Sequence, residues 1–285
     1  MGALLALASA VLYGIVDFAG GMLSRRLHFT AVTFLGQLGG LLLAVTAALL
    51  VPAHSVRPAD LCWGALSGVG SGAAMLLLNR GLSRGAMSVV VPVSAVTSVA
   101  LSVLCGVLVL GDRPTFLAWA GIAVAAPALW LVSGGGAARA RSAGEGAGRG
   151  TPDGLWASAG VAVQYLALAQ AGPSSGLWPV AAGRLAAVAV LLPAVVGGTR
   201  PLRGPRPSPV RAAQALLTGA GAALALSLYL LAAQRQMLAV AVVLASLYPA
   251  LPVLLGLVAL HERVTRRQAA GLLGAAAATV LLALG

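Results

Sequence analysis

The sequence is dominated by apolar runs, each close to the length of a helix that crosses a membrane. A helix needs about 20 mostly apolar residues to cross a hydrocarbon layer roughly 30 Å thick. Charged residues, prolines and glycines divide the chain into about ten runs of that length. The runs are 3–23, 30–51, 60–79, 87–110, 116–133, 154–171, 176–197, 212–233, 238–260 and 267–284. They are continuous, without the alternation typical of a membrane barrel, and therefore predict helices.

The composition supports a membrane location. Hydrophobic residues make up 60% of the chain and charged residues only 8%, whereas soluble domains have about 25% charged residues. A soluble monomer of this composition would expose more apolar surface than such proteins tolerate. We therefore expect an all-α integral membrane protein that crosses the membrane about ten times.

The basic residues predict an orientation rather than a nucleic-acid partner. All eighteen are Arg, and most lie in the connectors that follow the odd-numbered runs. Positive charge in short connectors favours the cytoplasmic side. This bias predicts that both termini lie outside the cytoplasm, and no nucleic acid is expected to bind.

The two halves of the chain resemble each other. Residues 134–153 are rich in Gly and Arg and predict a flexible linker between a first unit, 1–133, and a second unit, 154–285. Polar residues near the end of the fourth run recur 150 residues later. They are Asp112, Arg113 and Thr115, matched by Glu262, Arg263 and Thr265. Because five crossings are an odd number, the pattern predicts two five-helix repeats of inverted topology.

Several short motifs, in this order along the chain, resemble one transporter family. They are Tyr13-Gly14, Asp17-Phe18-Ala19-Gly20-Gly21, Pro92, LGDRPTFLAWAG (110–121), SGLWPVAAGR (175–184), ASLYPALPVLLG (245–256) and LHERVTRRQAAG (260–271). The chain resembles the drug/metabolite transporter superfamily, in its EamA-like ten-span branch. The resemblance implies two inverted five-helix repeats around a central cavity and export of metabolites or drugs. It also implies cytoplasmic termini, which disagrees with the charge bias. Substrate identity does not transfer with a fold.

Asp17 is the acidic residue placed well inside a predicted span. A charge near a helix centre costs about 2.5–3.5 kcal/mol on insertion scales, so such a residue usually faces the protein interior. Tyr13 lies one turn away on the same helical face. Two roles stay open for Asp17: protonation or cation binding during transport, and a structural position near one interface or beside an Arg.

Arg184 lies inside the seventh run and needs a partner there. One interpretation is capture of a carboxylate or phosphate of the substrate. The interpretation that we favour is a structural pair or carbonyl cap between helices, with Gln37, at the equivalent place in the first half, as the candidate partner.

Other polar or helix-bending residues complete the predicted translocation path. Cavity lining and hydrogen bonding between helices are both open for the polar ones, while the prolines release backbone carbonyls and bend their helices. The remaining candidates are Asn79, Pro92, Ser94, Gln164, Tyr165, Tyr229, Ser246, Tyr248 and Pro249.

We expect a secondary transporter of the inner or plasma membrane that exports a small solute, and not an enzyme. The three His and two Cys match no metal or catalytic arrangement, so we expect no catalytic residues, no metal and no cofactor. The expected partners are a small-molecule substrate and membrane lipid, with proton coupling left open and a monomer or homodimer as the working unit. A lipid-carrier flippase or a helper subunit of a membrane complex is the alternative.

Overall fold

The computed structural model describes residues 2–24, 26–84, 107, 111, 113–133, 151–196, 208–235, 237–245 and 266–284. Within these ranges the regular structure is helical and no strand occurs. The helices are α1 (Gly2–Ser24), α2 (Phe29–Leu50), α3 (Pro58–Arg84), α4 (Phe116–Ser133), α5 (Thr151–Ala169), α6 (Trp178–Val196), α7 (Pro209–Ala233), α8 (Leu238–Ala245) and α9 (Arg266–Leu284). The all-helical prediction is confirmed for the described part of the chain.

Local chemistry explains where the helices begin. Pro58 and Pro209 open α3 and α7, at the first helical position where a missing N–H costs nothing. His28 precedes α2 and its side chain accepts a hydrogen bond from the backbone N–H of Thr30 at 3.4 Å. The seventh predicted run started at residue 176, but α6 begins at Trp178. Gly176 has a φ of 54°, a left-handed conformation that interrupts the helix.

Within the described residues, four helical segments are long and apolar enough to cross a membrane: Gly2–Gly20, Phe29–Leu50, Pro58–Leu78 and Pro209–Ala233. The described part also contains shorter apolar helical segments at Phe116–Ala128, Trp156–Ala169, Trp178–Pro193 and Ala269–Ala278. The predicted run 87–110, apart from Val107, lies outside the described residues, as does the end of the run 238–260 after Ala245.

The extensive helix contacts join the two halves of the chain. Helix α3 packs against α5 and α6, α2 packs against α6 and α7, α1 packs against α7 and α8, and α4 packs against α9. Contacts between sequence neighbours such as α1 and α2 are much smaller. If α1, α2 and α3 are exchanged with α5, α6 and α7 respectively, the contact of α3 with α5 becomes the contact of α7 with α1. The same exchange converts α3 with α6 into α7 with α2.

Two pairs of glycines bring these helices into backbone contact. Gly36 of α2 faces Gly219 of α7, and Gly183 of α6 faces Gly68 of α3. A methyl group on Gly219 would overlap the carbonyl oxygen of Gly36, and one on Gly68 would overlap the carbonyl oxygen of Gly183. Small residues allow this close packing, which holds helices together where the hydrophobic effect does not drive them. The two contacts thus lie between α2 and α7 and between α3 and α6.

A hydrogen-bonded clasp joins two connectors at one end of the bundle. We call the connector clasp the group of Asp60, Gly172 and Ser175, together with Ser55 and Ser174. Asp60 is 6% exposed, and its carboxylate accepts hydrogen bonds from the Gly172 N–H at 3.0 Å and the Ser175 hydroxyl at 2.5 Å. The Ser55 N–H donates to the Ser174 carbonyl at 3.1 Å. The clasp therefore fixes the connector between α2 and α3 against the connector between α5 and α6.

Candidate functional site

A cluster of polar side chains lies where four apolar helices meet. We call Tyr13 of α1, Gln37 of α2, Gln164 of α5 and Arg184 of α6 the interior polar group. Gln37, Gln164 and Arg184 are buried, with 5%, 7% and 3% of their surface exposed, and Tyr13 is partly buried. Two members come from each half of the chain, so the group lies between the halves.

Arg184 projects from α6 toward α2 and pairs with Gln37. Its Nη1 donates to the side-chain oxygen of Gln37 at 3.0 Å, and the predicted pairing of these two residues is confirmed. The stem of the side chain passes Gly40, where an added Cβ would lie 3.2 Å from the Cδ of Arg184. Gly40 therefore gives the arginine room to reach across α2. The guanidinium also donates a hydrogen bond to the hydroxyl of Tyr13.

Gln164 joins the same group from α5. Its Nε2 donates to the Tyr13 hydroxyl at 3.2 Å, while its backbone carbonyl accepts from the Ser67 hydroxyl of α3 at 2.8 Å. Tyr13 thus contacts partners from two helices of the second half. Polar groups in lipid-facing helices would remain unsatisfied, and these contacts satisfy them inside the bundle.

Asp17 lies one helical turn after Tyr13 on α1 and is partly buried. Its carboxylate interacts electrostatically with the hydroxyl of Tyr13. Among the arginines whose side chains the structure describes, none forms a salt bridge with it.

Tyr165 and Tyr229 lie in the apolar core rather than in the interior polar group. They are 2% and 0% exposed, and their ring centroids are 4.5 Å apart at an interplanar angle of 57°. The hydroxyl of Tyr229 donates to the Tyr165 carbonyl at 3.0 Å. The pair therefore joins α5 to α7 by packing and a hydrogen bond.

The other predicted path residues are not described to the same extent. Asn79 belongs to α3, but the structure does not describe its side chain. Pro92, Ser94, Ser246, Tyr248 and Pro249 lie outside the described residues.

Sequence reasoning missed several polar residues that connect helices. The Ser9 hydroxyl of α1 donates to the Ala225 carbonyl of α7 at 2.7 Å, and Ser67 and Asp60 make the contacts given above. An isolated serine in an apolar helix is a weak signal, because it can equally bond to its own helix. Ser227, which donates to the Ala223 carbonyl one turn back at 2.9 Å, is such a case.

The described residues contain no group of three or more His, Cys, Asp or Glu side chains that could hold a metal ion. The chemistry that the interior polar group offers is recognition by charge and hydrogen bonding. It combines one permanent positive charge, amide donors and acceptors and a phenol, inside an apolar bundle.

Comparisons with known proteins show the family of the chain. A family model of the EamA-like transporter family matches residues 1–134 and 154–284. Twenty-four chains of solved structures are similar, among them a crystal structure with 18% sequence identity, a TM-score of 0.77 and coverage of 98% of each chain. That likeness concerns the fold alone. No curated protein sequence is significantly similar. Members of the matched family are integral membrane transporters, and the apolar helices described above fit such a protein. Because the family model covers nearly the entire length, the chain belongs to the EamA-like transporter family.

Proposed function

We propose that this protein is a secondary transporter that exports a small metabolite or drug-like solute across the inner or plasma membrane by alternating access. The observation that carries the proposal is the interior polar group between the halves. A charged side chain inside a membrane bundle is costly and usually marks a substrate or ion pathway. Here Arg184 and its neighbours come from both halves, so a relative movement of the halves would change their exposure.

The proposed architecture is ten spans in two inverted five-helix repeats, and the connector clasp supports the inversion. Helix α2 has 22 residues, or about 33 Å of rise, enough to separate the two membrane faces. The clasp is at its Leu50 end, where the connector between the second and third helices of the first half meets the connector between the first and second helices of the second half. Repeats of the same sense would put these two connectors at opposite faces.

We propose an orientation in which the clasp faces outward. The connectors on the side of the clasp hold few arginines, whereas those at the opposite face hold most of them. The positive-inside bias then assigns the arginine-rich face to the cytoplasm and both termini to the outside.

The proposed path contains Tyr13, Asp17, Gln164 and Arg184, whose contacts are described above. We keep the remaining candidates in the proposed path. They are Asn79, Pro92, Ser94, Tyr165, Tyr229, Ser246, Tyr248 and Pro249. In this proposal the transporter binds no nucleic acid or cofactor, couples solute movement to protons through Asp17, and works in lipid as a monomer or homodimer.

Reconstitution into proteoliposomes tests the function. We expect saturable movement of at least one solute from a panel of labelled amino acids and cationic dyes, and a lower rate when the pH gradient is collapsed. Empty liposomes provide the baseline. Movement of lipid headgroups without movement of any solute would instead favour a flippase. The absence of both activities would contradict the transporter.

Asp17→Asn tests the proposed proton coupling. The amide keeps the size and polarity of the side chain but does not titrate, so we expect transport that no longer responds to the pH gradient. Thr46→Val is the matched control, because the Thr46 hydroxyl is exposed and bonds to its own helix at the Leu42 carbonyl, 2.8 Å away. An unchanged pH response in Asp17→Asn would exclude the proton role of this carboxylate.

A further inference from the structure

The guanidinium of Arg184 has more donors than the bundle uses. Arginine carries five N–H donors, no acceptor and a permanent positive charge. Gln37 occupies Nη1. The other two nitrogens, Nε and Nη2, are buried and have no hydrogen-bond partner among the described residues. Buried polar groups are nearly always hydrogen-bonded, so two nitrogens without a partner on one buried cation require an explanation.

The two unused nitrogens form one edge of the guanidinium. In arginine the N–H of Nε and one N–H of Nη2 point in the same direction, in the fork that receives both oxygens of a carboxylate. Gln37 holds the opposite part of the group, through Nη1. Beside the fork lies Gly40, which has no side chain to cover it: an added Cβ there would lie 3.4 Å from Nε. The fork is thus fixed in orientation and is buried beside the backbone of α2 at Gly40.

Among the residues that the structure describes, no carboxylate forms a salt bridge with Arg184. Its neighbours Gln37 and Tyr13 are polar, and Gln164 extends the group through Tyr13. Asp17 forms no salt bridge with a described arginine, and Asp60 is used by the connector clasp. A buried cation without a paired anion is unfavourable in an apolar interior, and binding of an anionic ligand removes this penalty.

We propose that Arg184 binds the carboxylate of the transported solute through Nε and Nη2, with Gln37 as the positioning residue that orients the guanidinium. This inference rests on the proposed function and names its substrate class: solutes with a carboxylate group. Arginine suits this task better than lysine, because only its planar fork makes two parallel bonds to one carboxylate.

The test measures binding to the purified full-length protein in lipid nanodiscs by the shift in its unfolding temperature. The probes are benzoate and nicotinate, each compared with its neutral amide, benzamide and nicotinamide. Methyl phosphate tests whether another oxyanion takes the site. We expect both carboxylates to raise the unfolding temperature of the wild type at millimolar concentration, and the amides to have no effect.

Two variants make the test specific for Arg184. Arg184→Lys keeps the positive charge but loses the fork, and we expect the affinity for both carboxylates to fall by about tenfold or more. Gln37→Glu places a carboxylate of the protein beside the arginine. We expect this variant to unfold at the wild-type temperature or above, and to lose the stabilisation by benzoate and nicotinate.

Each other outcome would overturn the proposal. The first two are no stabilisation of the wild type by the carboxylates, and stabilisation by the amides equal to that by the carboxylates. The other two are a carboxylate affinity in both variants equal to that of the wild type, and binding of methyl phosphate alone. Transport of the same labelled carboxylates into proteoliposomes distinguishes a failure of the carboxylate site from a failure of the proposed transport function. Binding of the carboxylates without their transport would support the carboxylate site at Arg184 and contradict the proposed transport function. Transport of other solutes at an unchanged rate in Arg184→Lys would keep the transporter and reject the carboxylate site.

Discussion

Gly219→Val is expected to leave little folded protein, because its side chain would enter the backbone of a neighbouring helix. The first added carbon would overlap the carbonyl oxygen of Gly36. Backbone atoms cannot rotate away as a flexible side chain can, so α2 and α7 would have to separate. Overpacking costs about 1–3 kcal/mol where side chains can adjust, and we expect a larger loss here. The measurement is the yield of monodisperse protein after purification and its unfolding temperature.

Gly20→Val is the matched control for this prediction. Gly20 lies in the apolar helix α1, and an added Cβ there would meet nothing within 4 Å. We expect this variant to fold in nearly wild-type yield. Gly68→Val, at the equivalent contact with Gly183, should behave like Gly219→Val. Equal yields of Gly219→Val and Gly20→Val would show that α2 and α7 do not approach as closely as described.

Asp60→Ala is expected to lower stability strongly by opening the connector clasp. The substitution removes the acceptor for the Gly172 N–H and the Ser175 hydroxyl. Hydrogen bonds to a charged group contribute about 1.5–3 kcal/mol each, and a buried donor without a partner adds its own cost. We therefore expect a loss of about 3–5 kcal/mol, seen as a lower unfolding temperature in nanodiscs.

A double-mutant cycle tests whether the two connectors act through the clasp. Ser175→Ala alone removes one donor and is expected to cost less than Asp60→Ala. In the double variant the two losses should not add, because both single changes break the same hydrogen bond. Asp60→Ala with wild-type stability would contradict the clasp, as would full additivity of the two changes.

The features that follow from composition and spacing were predictable. Long apolar runs predict the positions of helices. The order of short motifs predicts the EamA-like transporter family, and the match to the family model confirms it. The pair of Arg184 with Gln37 was also predictable, because a charge inside a span needs a polar partner and the repeat places Gln37 at the equivalent position.

The rotation of each helix could not be predicted. In lipid, the buried and lipid-facing sides of a helix are both apolar, so no amphipathic pattern shows which side faces inward. For this reason the sequence did not show that the candidate path residues Tyr165 and Tyr229 pack against each other in the apolar core. Asp60 was missed for another reason: its partners lie in a distant connector whose sequence has no periodicity.

The central claim is that two inverted halves enclose the interior polar group, and accessibility to a membrane-impermeant thiol reagent tests it most directly. In a protein whose Cys62 and Cys105 are replaced by Ala, single cysteines are introduced as His54→Cys, Pro173→Cys, Arg26→Cys and Arg211→Cys, all at exposed positions. We expect the first two to react from outside the cell, and the last two to react only after the cytoplasmic side is opened. Reaction of Arg26→Cys and Pro173→Cys from the same side would contradict the inverted arrangement.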